Sequence, residues 1–370
     1  MAKDNIQNLT SEAVQLLREM IAIPSSSFNE DEVCSHISKW MTERGIEHER
    51  IGNNIIAEHI CNPDKPTLML CAHIDTVEPC EGYTFNPYKP ENCPDDMVQG
   101  LGSNDDGASV VSMIATYRYL TSSNRTGATP IHNIILALTC EEERSGKGGM
   151  TGLWGNRICA RKEAKDGCTP VDFAIVGEPT GMKAAIAERG LLVIDATAEG
   201  VSGHAARNEG VNALYIALED IAKLRNHEFE KVSPRMGRVN LNVTQINAGS
   251  AHNVIPDRCS FVIDIRPTEQ YTNEEILNEL QGICRSKLTP RNLLNQSSAT
   301  FEDSTLHKVA EELGVETFSS PTTSDWMRIS CDAIKMGPGD SARSHKKDEY
   351  VTVDEISEGI KRYIEFIERL

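Results

Sequence analysis

The sequence has no basic run, no apolar run long enough to cross a bilayer and no Cys-x-x-Cys pair. Lys and Arg total 37 against 55 Asp and Glu, for a formal net charge of −18. A field of that sign repels nucleic acid and anionic membrane at long range, which excludes both as partners. The first residues show neither the basic-then-apolar profile of a signal peptide nor a spanning segment, so a cytoplasmic protein is expected. The eleven cysteines are an odd number scattered from Cys34 to Cys331. That pattern suits free thiols in a reducing compartment rather than a disulfide framework. Cys71 and Cys140 lie in apolar runs and are expected to be buried structural thiols. There is also no internal repeat, low-complexity tract or long linker, although Glu91 to Asp96 reads as a polar loop.

What is present is enough apolar sequence for two structural units, because 370 residues exceed what one core usually organises. An amphipathic helix is expected from Ser11 to Ala22, capped by Thr10 or Ser11 and stopped by Pro24. Thr67 to Ala72, Asn133 to Leu138 and Asp172 to Val176 are short, continuous apolar runs that each lead into polar residues, as strands covered on both faces do. An apolar helix from Ala108 to Leu120 lies between the first two, so the economical architecture is α/β, a mixed and mostly parallel sheet with helices on both sides. Sites in such sheets collect beyond the carboxyl ends of the strands. From about Met182 the style changes. Leu191 to Ala198, Arg238 to Ile246 and Ser260 to Arg266 read as strands, and Val211 to Leu224 and Asn273 to Lys287 as helices. This is expected to be a smaller α+β, ferredoxin-like unit at 182–290, inserted between catalytic-domain segments 1–181 and 291–370. Helices at Ser304 to Leu313 and Val353 to Leu370, the second opened by a Thr352-x-x-Glu355 capping box, return the chain to the first unit.

The polar residues after the buried runs carry the chemistry. His73-Ile-Asp75 places two side chains on one side of an extended segment, so Asp75 can fix the ring of a ligating His73; such triplets also arise by chance. Asp105 and Asp106 sit in a glycine-rich loop before a helix, a place for a metal carboxylate or for an ordinary cap. Glu141-Glu142-Glu143 puts three acids where a strand leaves the core; one can bind metal while its neighbour serves as base, or the three can form a solvated turn. Gly177-Glu178-Pro179 follows the third strand, and His345 closes a turn-rich loop before the last helix. A dinuclear hydrolase needs a carboxylate between two cations, flanking imidazole and carboxylate ligands, and an unligated carboxylate to take a proton from water.

In that order, over almost the whole chain, these motifs resemble the metal-dependent amidohydrolase family of acetylornithine deacetylase, succinyl-diaminopimelate desuccinylase, aminoacylase and glutamate carboxypeptidase. The resemblance implies a catalytic α/β domain interrupted by a lid that dimerises, and two divalent metal ions. Zinc is expected, and cobalt and manganese share such ligand sets. It assigns His73, Asp105 and Glu178 to one ion and Asp105, Glu143 and His345 to the other, with Asp105 as bridge, Glu142 as general base and Asp75 orienting His73. After Asp105 the family often continues to a lysine, where this chain has Gly107.

Ser202-Gly-His204 resembles the lid segment whose histidine reaches the partner subunit's site in a homodimer, although a lone histidine after a strand is often structural. Asn253 and the Asp264-Ile-Arg266 strand resemble the elements that hold a substrate carboxylate; Asp264 and Arg266 can equally form a simple ion pair. Glu141 to Gly149, Ser324-Asp325 and Gly337 to His345 look nearest to the acetylornithine deacetylase branch. The resemblance therefore implies deacylation of an N-acyl amino acid, such as acetylornithine, acetylcitrulline or succinylornithine, in arginine biosynthesis. Desuccinylation of diaminopimelate, di- or tripeptide hydrolysis, and a non-catalytic binding module are the alternatives.

Overall fold

The structure is a computed structural model and describes residues 3–91, 93–122, 132–207 and 209–370. The chain divides into two compact units, one of Met1–Ile186, Thr300–Phe318 and Ser324–Leu370, the other of Ala187–Ala299 and Ser319–Thr323.

The first unit is built on a sheet whose strands run, side by side, Glu49–Ile51, Asn54–His59, Asn133–Thr139, Thr67–His73, Phe173–Val176, Asp332–Lys335 and then Ala184–Glu188. The four central strands, from Asn133–Thr139 to Asp332–Lys335, are mutually parallel, and the flanking pairings are antiparallel. Thr67–His73 and Asn133–Thr139 are buried at every position, which is why they carry no polar alternation. One face is covered by the helices Lys3–Ile21, Ala108–Thr121 and Val353–Arg369, with Leu17, Val111, Ile114, Ile360 and Ile364 in a shared core. The other face packs Met69, Ile135 and Ala174 against Met150, Leu153, Trp326 and Ile329, which come from a one-turn helix and a 3-10 turn. The second layer is therefore made of short elements rather than long helices.

The second unit runs strand, helix, strand, strand, helix, strand: Leu192–Glu199, Ala213–Asn226, Asn240–Ala248, Arg258–Arg266, Asn273–Ile283 and Lys287–Pro290. Its four strands are antiparallel and lie in the order second, third, first, fourth, the ferredoxin-like arrangement. Leu192, Ile194, Phe261, Ile263, Ile276 and Leu280 form its core.

Two boundaries differ from expectation. The first helix starts at Lys3, so Thr10 and Ser11 are interior rather than caps, and Thr10 Oγ1 donates to the Ile6 carbonyl at 2.8 Å. The helix at Asn273 stops at Ile283, and Lys287 opens a strand paired with Leu192–Glu199; helical period alone does not separate a helix end from a following short strand. None of the eleven cysteines is in a disulfide, and Cys71 and Cys140 are among the buried ones. Glu91 and Cys93 to Asp96 are loop, and Asn92 lies outside the described residues. Among the described residues, no helix is long and apolar enough to cross a membrane.

The last helix shows how sequence fixes an element that carries the sheet. Glu355 N–H donates to Thr352 Oγ1 at 3.1 Å and Thr352 N–H to Glu355 Oε2 at 2.8 Å, which completes the capping box. Ile356, Ile360, Ile364 and Ile367 are at most 4 % exposed on its inner face. Replacing Thr352 with Ala should cost about 1 kcal/mol, read as a lower urea midpoint with an unchanged slope; a midpoint equal to wild type would show that the box adds nothing.

Candidate metal centre

The parallel strands deliver their polar residues to one end of the sheet. His73 ends its strand in register with Thr139, and Cys71 is in register with Val176, so the segments bearing Glu141 to Glu143 and Glu178 leave the sheet at the same edge as His73. His73 is 3 % exposed, with Nε2 3.3 Å from Asp105 Oδ1. His345 Nε2 lies 3.7 Å from Asp105 Oδ2 and 3.0 Å from Glu143. The two oxygens of Asp105 thus face different histidines. Donor atoms of His73, Asp105 and Glu143 lie within 4.8 Å of one another, as do those of His73, Glu142 and Glu178. Every residue assigned to a metal by resemblance is gathered here, together with Glu142, whose expected part was the base. The Asp105-Asp106 peptide bond is cis.

Asp75 lies beneath this cluster, 1 % exposed. Its Oδ1 is 3.4 Å from His73 Nδ1, a nitrogen that also contacts the Asp75 carbonyl at 3.0 Å. Glu142 N–H donates to Oδ1 at 3.0 Å, Glu143 N–H to Oδ2 at 3.2 Å and Ser27 Oγ to Oδ2 at 2.7 Å. Burial opposes ionisation of Asp75, but His73, Ser27 and the Glu142 amide outweigh it and hold the carboxyl below its usual range. Glu141 has a different part. Its φ is 59° and its Oε2 accepts Gly148 N–H at 2.8 Å. Cβ atoms at Gly146 or Gly148 would collide with that carboxylate, so these glycines let the following loop wrap it.

Sequence reasoning missed three buried acids. Glu349, 2 % exposed, accepts the N–H groups of Gly102, Asn104 and Asp105 at 3.1, 2.9 and 2.9 Å and so shapes the loop that presents Asp105. Glu30, fully buried, accepts Phe28 N–H at 2.7 Å and Glu141 N–H at 3.2 Å. Asp325, quoted only as part of a short resemblance, accepts Thr139 Oγ1 at 2.6 Å from the sheet. The only available signals were local: Glu349 follows His345 by four residues, and Glu30 follows a Ser-rich turn. Neither distinguishes a buried acceptor from a solvated acid.

So many acids in one buried place raise each other's proton affinity. Burial first, then the neighbouring carboxylates, hold Glu142 and Glu178 well above the usual range. Burial pushes Asp106 up to about 8 and Glu349 to about 7. His345 is raised to about 9, chiefly by its hydrogen bond to Glu143. For His73 burial pulls the other way, yet the hydrogen bonds to Asp105 and Asp75 carry it well above its ordinary value. Positive charge placed here would favour the ionised carboxylates and the neutral, ligating imidazoles, and an oxygen-and-nitrogen donor set of this size suits a pair of divalent cations.

The other expected residues lie in the second unit. Gly203–His204 pairs antiparallel with Val254–Ile255, and Ala205 N–H donates to the Asn253 carbonyl at 3.0 Å, which puts exposed His204 and exposed Asn253 on one small ribbon. The Arg266 guanidinium grips Asp264 in two places, Nε to Oδ1 at 2.8 Å and Nη2 to Oδ2 at 3.1 Å. That is the ion pair left open by the sequence. At Gly107 a Cβ would meet the Gly102 carbonyl oxygen and Leu17, so a lysine cannot enter without moving the loop or the first helix.

This fold and cluster define a metal-dependent amide hydrolase, and the comparisons agree. Residues 186–292 match the peptidase dimerisation domain and residues 54–179 match peptidase family M28. The chain is 27 % identical to acetylornithine deacetylase of Photorhabdus laumondii, covering 91 % of this chain and 92 % of that protein. It is 25 % identical to succinyl-diaminopimelate desuccinylase of Wolbachia pipientis, covering 96 % and 92 %. Among solved structures, the Bacillus subtilis YXEP protein, a dinuclear metal-binding peptidase of the M20 family, superposes with a TM-score of 0.70 at 17 % identity, covering 98 % of each chain. The chain thus carries a peptidase dimerisation domain and is similar, over nine-tenths of its length, to metal-dependent amide hydrolases.

Asp75 touches the His73 ring and two amides of the acidic turn at once. Substitution by Ala should therefore weaken divalent-metal affinity about 10- to 100-fold, measured by competition with a chromogenic chelator; unchanged affinity would mean the carboxylate orients nothing.

Proposed function

We propose that the chain hydrolyses the amide bond of an N-acyl amino acid, with an acylated ornithine or citrulline as substrate and arginine biosynthesis as its setting. The observation that carries the chemistry is Asp105, whose two oxygens face His73 and His345 inside a buried cluster of acids. The full-length similarity to acetylornithine deacetylases supports the substrate class. In this reading His73, Asp105 and Glu178 hold one zinc ion, and Asp105, Glu143 and His345 the other. Bound cations supply Lewis acidity for a water and for the scissile carbonyl.

Glu142 is the proton carrier. Its main chain is fixed by Asp75, and its raised proton affinity suits a group that takes a proton from water and passes it to the leaving amine as the C–N bond breaks. Asp75 keeps the His73 ring oriented. His204 donates to the carbonyl oxygen from the partner subunit of a homodimer formed through the dimerisation domain, and Asn253 and Arg266 hold the substrate carboxylate. For Arg266 this requires sharing its guanidinium with Asp264 or releasing it. A cytoplasmic location fits this setting.

Similarity to succinyl-diaminopimelate desuccinylase over a comparable span supports a second reading with the same chemistry and a longer acyl group. Hydrolysis of acetylornithine, acetylcitrulline, succinylornithine, succinyl-diaminopimelate and several di- and tripeptides by zinc-loaded protein separates the two. A preference for an acylated ornithine or citrulline is expected. Preference for the diaminopimelate compound or a peptide moves the substrate and keeps the mechanism, whereas no turnover favours a binding module. Glu142→Ala should reduce kcat by at least about 10²-fold with metal content unchanged; full turnover in that variant would remove Glu142 from its post.

A further inference from the structure

Ser26 to Asn29 form a turn closed by Asn29 N–H donating to the Ser26 carbonyl at 2.8 Å, and its third residue, Phe28, has a φ of 74°. A turn with positive φ at the third position is where glycine or asparagine is expected, because a bulky L-residue there carries standing backbone strain. The Phe28 side chain does not offset that strain by burial, since the residue is 61 % exposed.

The conformation is instead enforced from below by polar anchors. Phe28 N–H donates to Glu30 Oε1 at 2.7 Å, and the same oxygen receives Glu141 N–H at 3.2 Å. Glu30 Oε2 is itself held by Asn53 Nδ2 at 3.1 Å. On the other side, Ser27 N–H donates to the Thr76 carbonyl at 3.1 Å and Ser27 Oγ to Asp75 Oδ2 at 2.7 Å. Phe28 is thus one residue away from a donor to Asp75, and one shared carboxylate oxygen away from the turn that bears Glu142 and Glu143.

A strained, solvent-facing aromatic tied this firmly to the reacting groups has its use outside its own fold, and observed strain of this kind clusters at ligand contacts. We infer that Phe28 is a specificity-determining residue whose ring packs against an apolar part of the substrate, the alkyl or aryl portion of the acyl group or of the side chain beside the scissile amide. This rests on the proposed amide hydrolysis and deepens it. Ring contact of this kind is apolar, so it discriminates by size and shape rather than by charge.

Two substitutions separate the ring from the strain. Phe28→Ala removes the ring and keeps a residue with a Cβ at positive φ, whereas Phe28→Gly removes both. The readout is kcat/KM over two series on the preferred scaffold: acetyl, butyryl, hexanoyl and benzoyl on one amino acid, and Gly, Ala, Leu and Phe under one acyl group. In one of the two series, the ratio between the largest and smallest members should fall about tenfold in both variants, mainly through KM. Phe28→Gly should melt at or slightly above the wild-type temperature. An equal factor across every member of both series, or a Phe28→Gly protein that melts several degrees lower, overturns the inference and leaves the hydrolase reading standing. A wild-type protein that cleaves neither these compounds nor any member of the acyl amino acid and peptide panel overturns the hydrolase reading and takes this inference with it.

Discussion

The centre depends on the buried carboxylate of Asp75. It lies against the imidazole of His73, takes the hydroxyl of Ser27 and accepts the main-chain N–H groups of Glu142 and Glu143. A strand end, the turn before the helix Asp31–Glu43 and the acidic turn after another strand are thereby fastened to one group. Two of those segments leave the sheet from different strands, and the third follows the first helix. Without a common acceptor, the part-buried amides of Glu142 and Glu143 would lose their partners. Glu349 serves the Asp105 loop in the same way with three amides, and Glu30 joins the Ser-rich turn to Glu141. Carboxylates that face inward are thus held by carboxylates that face the backbone.

That division explains why so many acids are tolerated. Asp75 is stabilised as an anion by the donors around it, whereas Glu142, Glu178 and Asp106 are raised by burial and by each other. A fold that merely needed to fill this space would use apolar residues. The cost of leaving these groups charged is relieved by cations and by little else. Divalent ions held here would consequently add to the stability of this end of the sheet as well as supply its chemistry.

The sequence made the first unit legible where burial was uniform. Thr67 to Ala72 and Asn133 to Leu138 read as strands because no position is polar, and the Thr352 capping box marked the start of the last helix. Polar residues after those strands pointed to the site because carboxyl ends of parallel strands collect function. The second face of the sheet was not legible, since Met150, Leu153 and Trp326 come from elements too short to show a period. Glu349, Glu30 and Phe28 were missed for a related reason. Whether an acid accepts three buried amides, or a phenylalanine sits at positive φ, depends on partners distant in sequence, and no local spacing encodes it. The Asp264-x-Arg266 pair shows the opposite case: spacing named both residues, and only the fold shows where the guanidinium points.

The most direct test is the metal stoichiometry of the full chain. Titration of zinc into metal-stripped protein near neutral pH, followed by calorimetry in buffers of different ionisation enthalpy, reports ions bound and protons released together. Two ions per chain with net proton release is the expected result, because His73, His345, Glu142 and Glu178 all hold protons more tightly than usual before metal enters. Asp105→Ala should abolish tight binding of both ions. Binding of a single ion, or two ions bound without proton release and unaffected by loss of Asp105, would contradict the account.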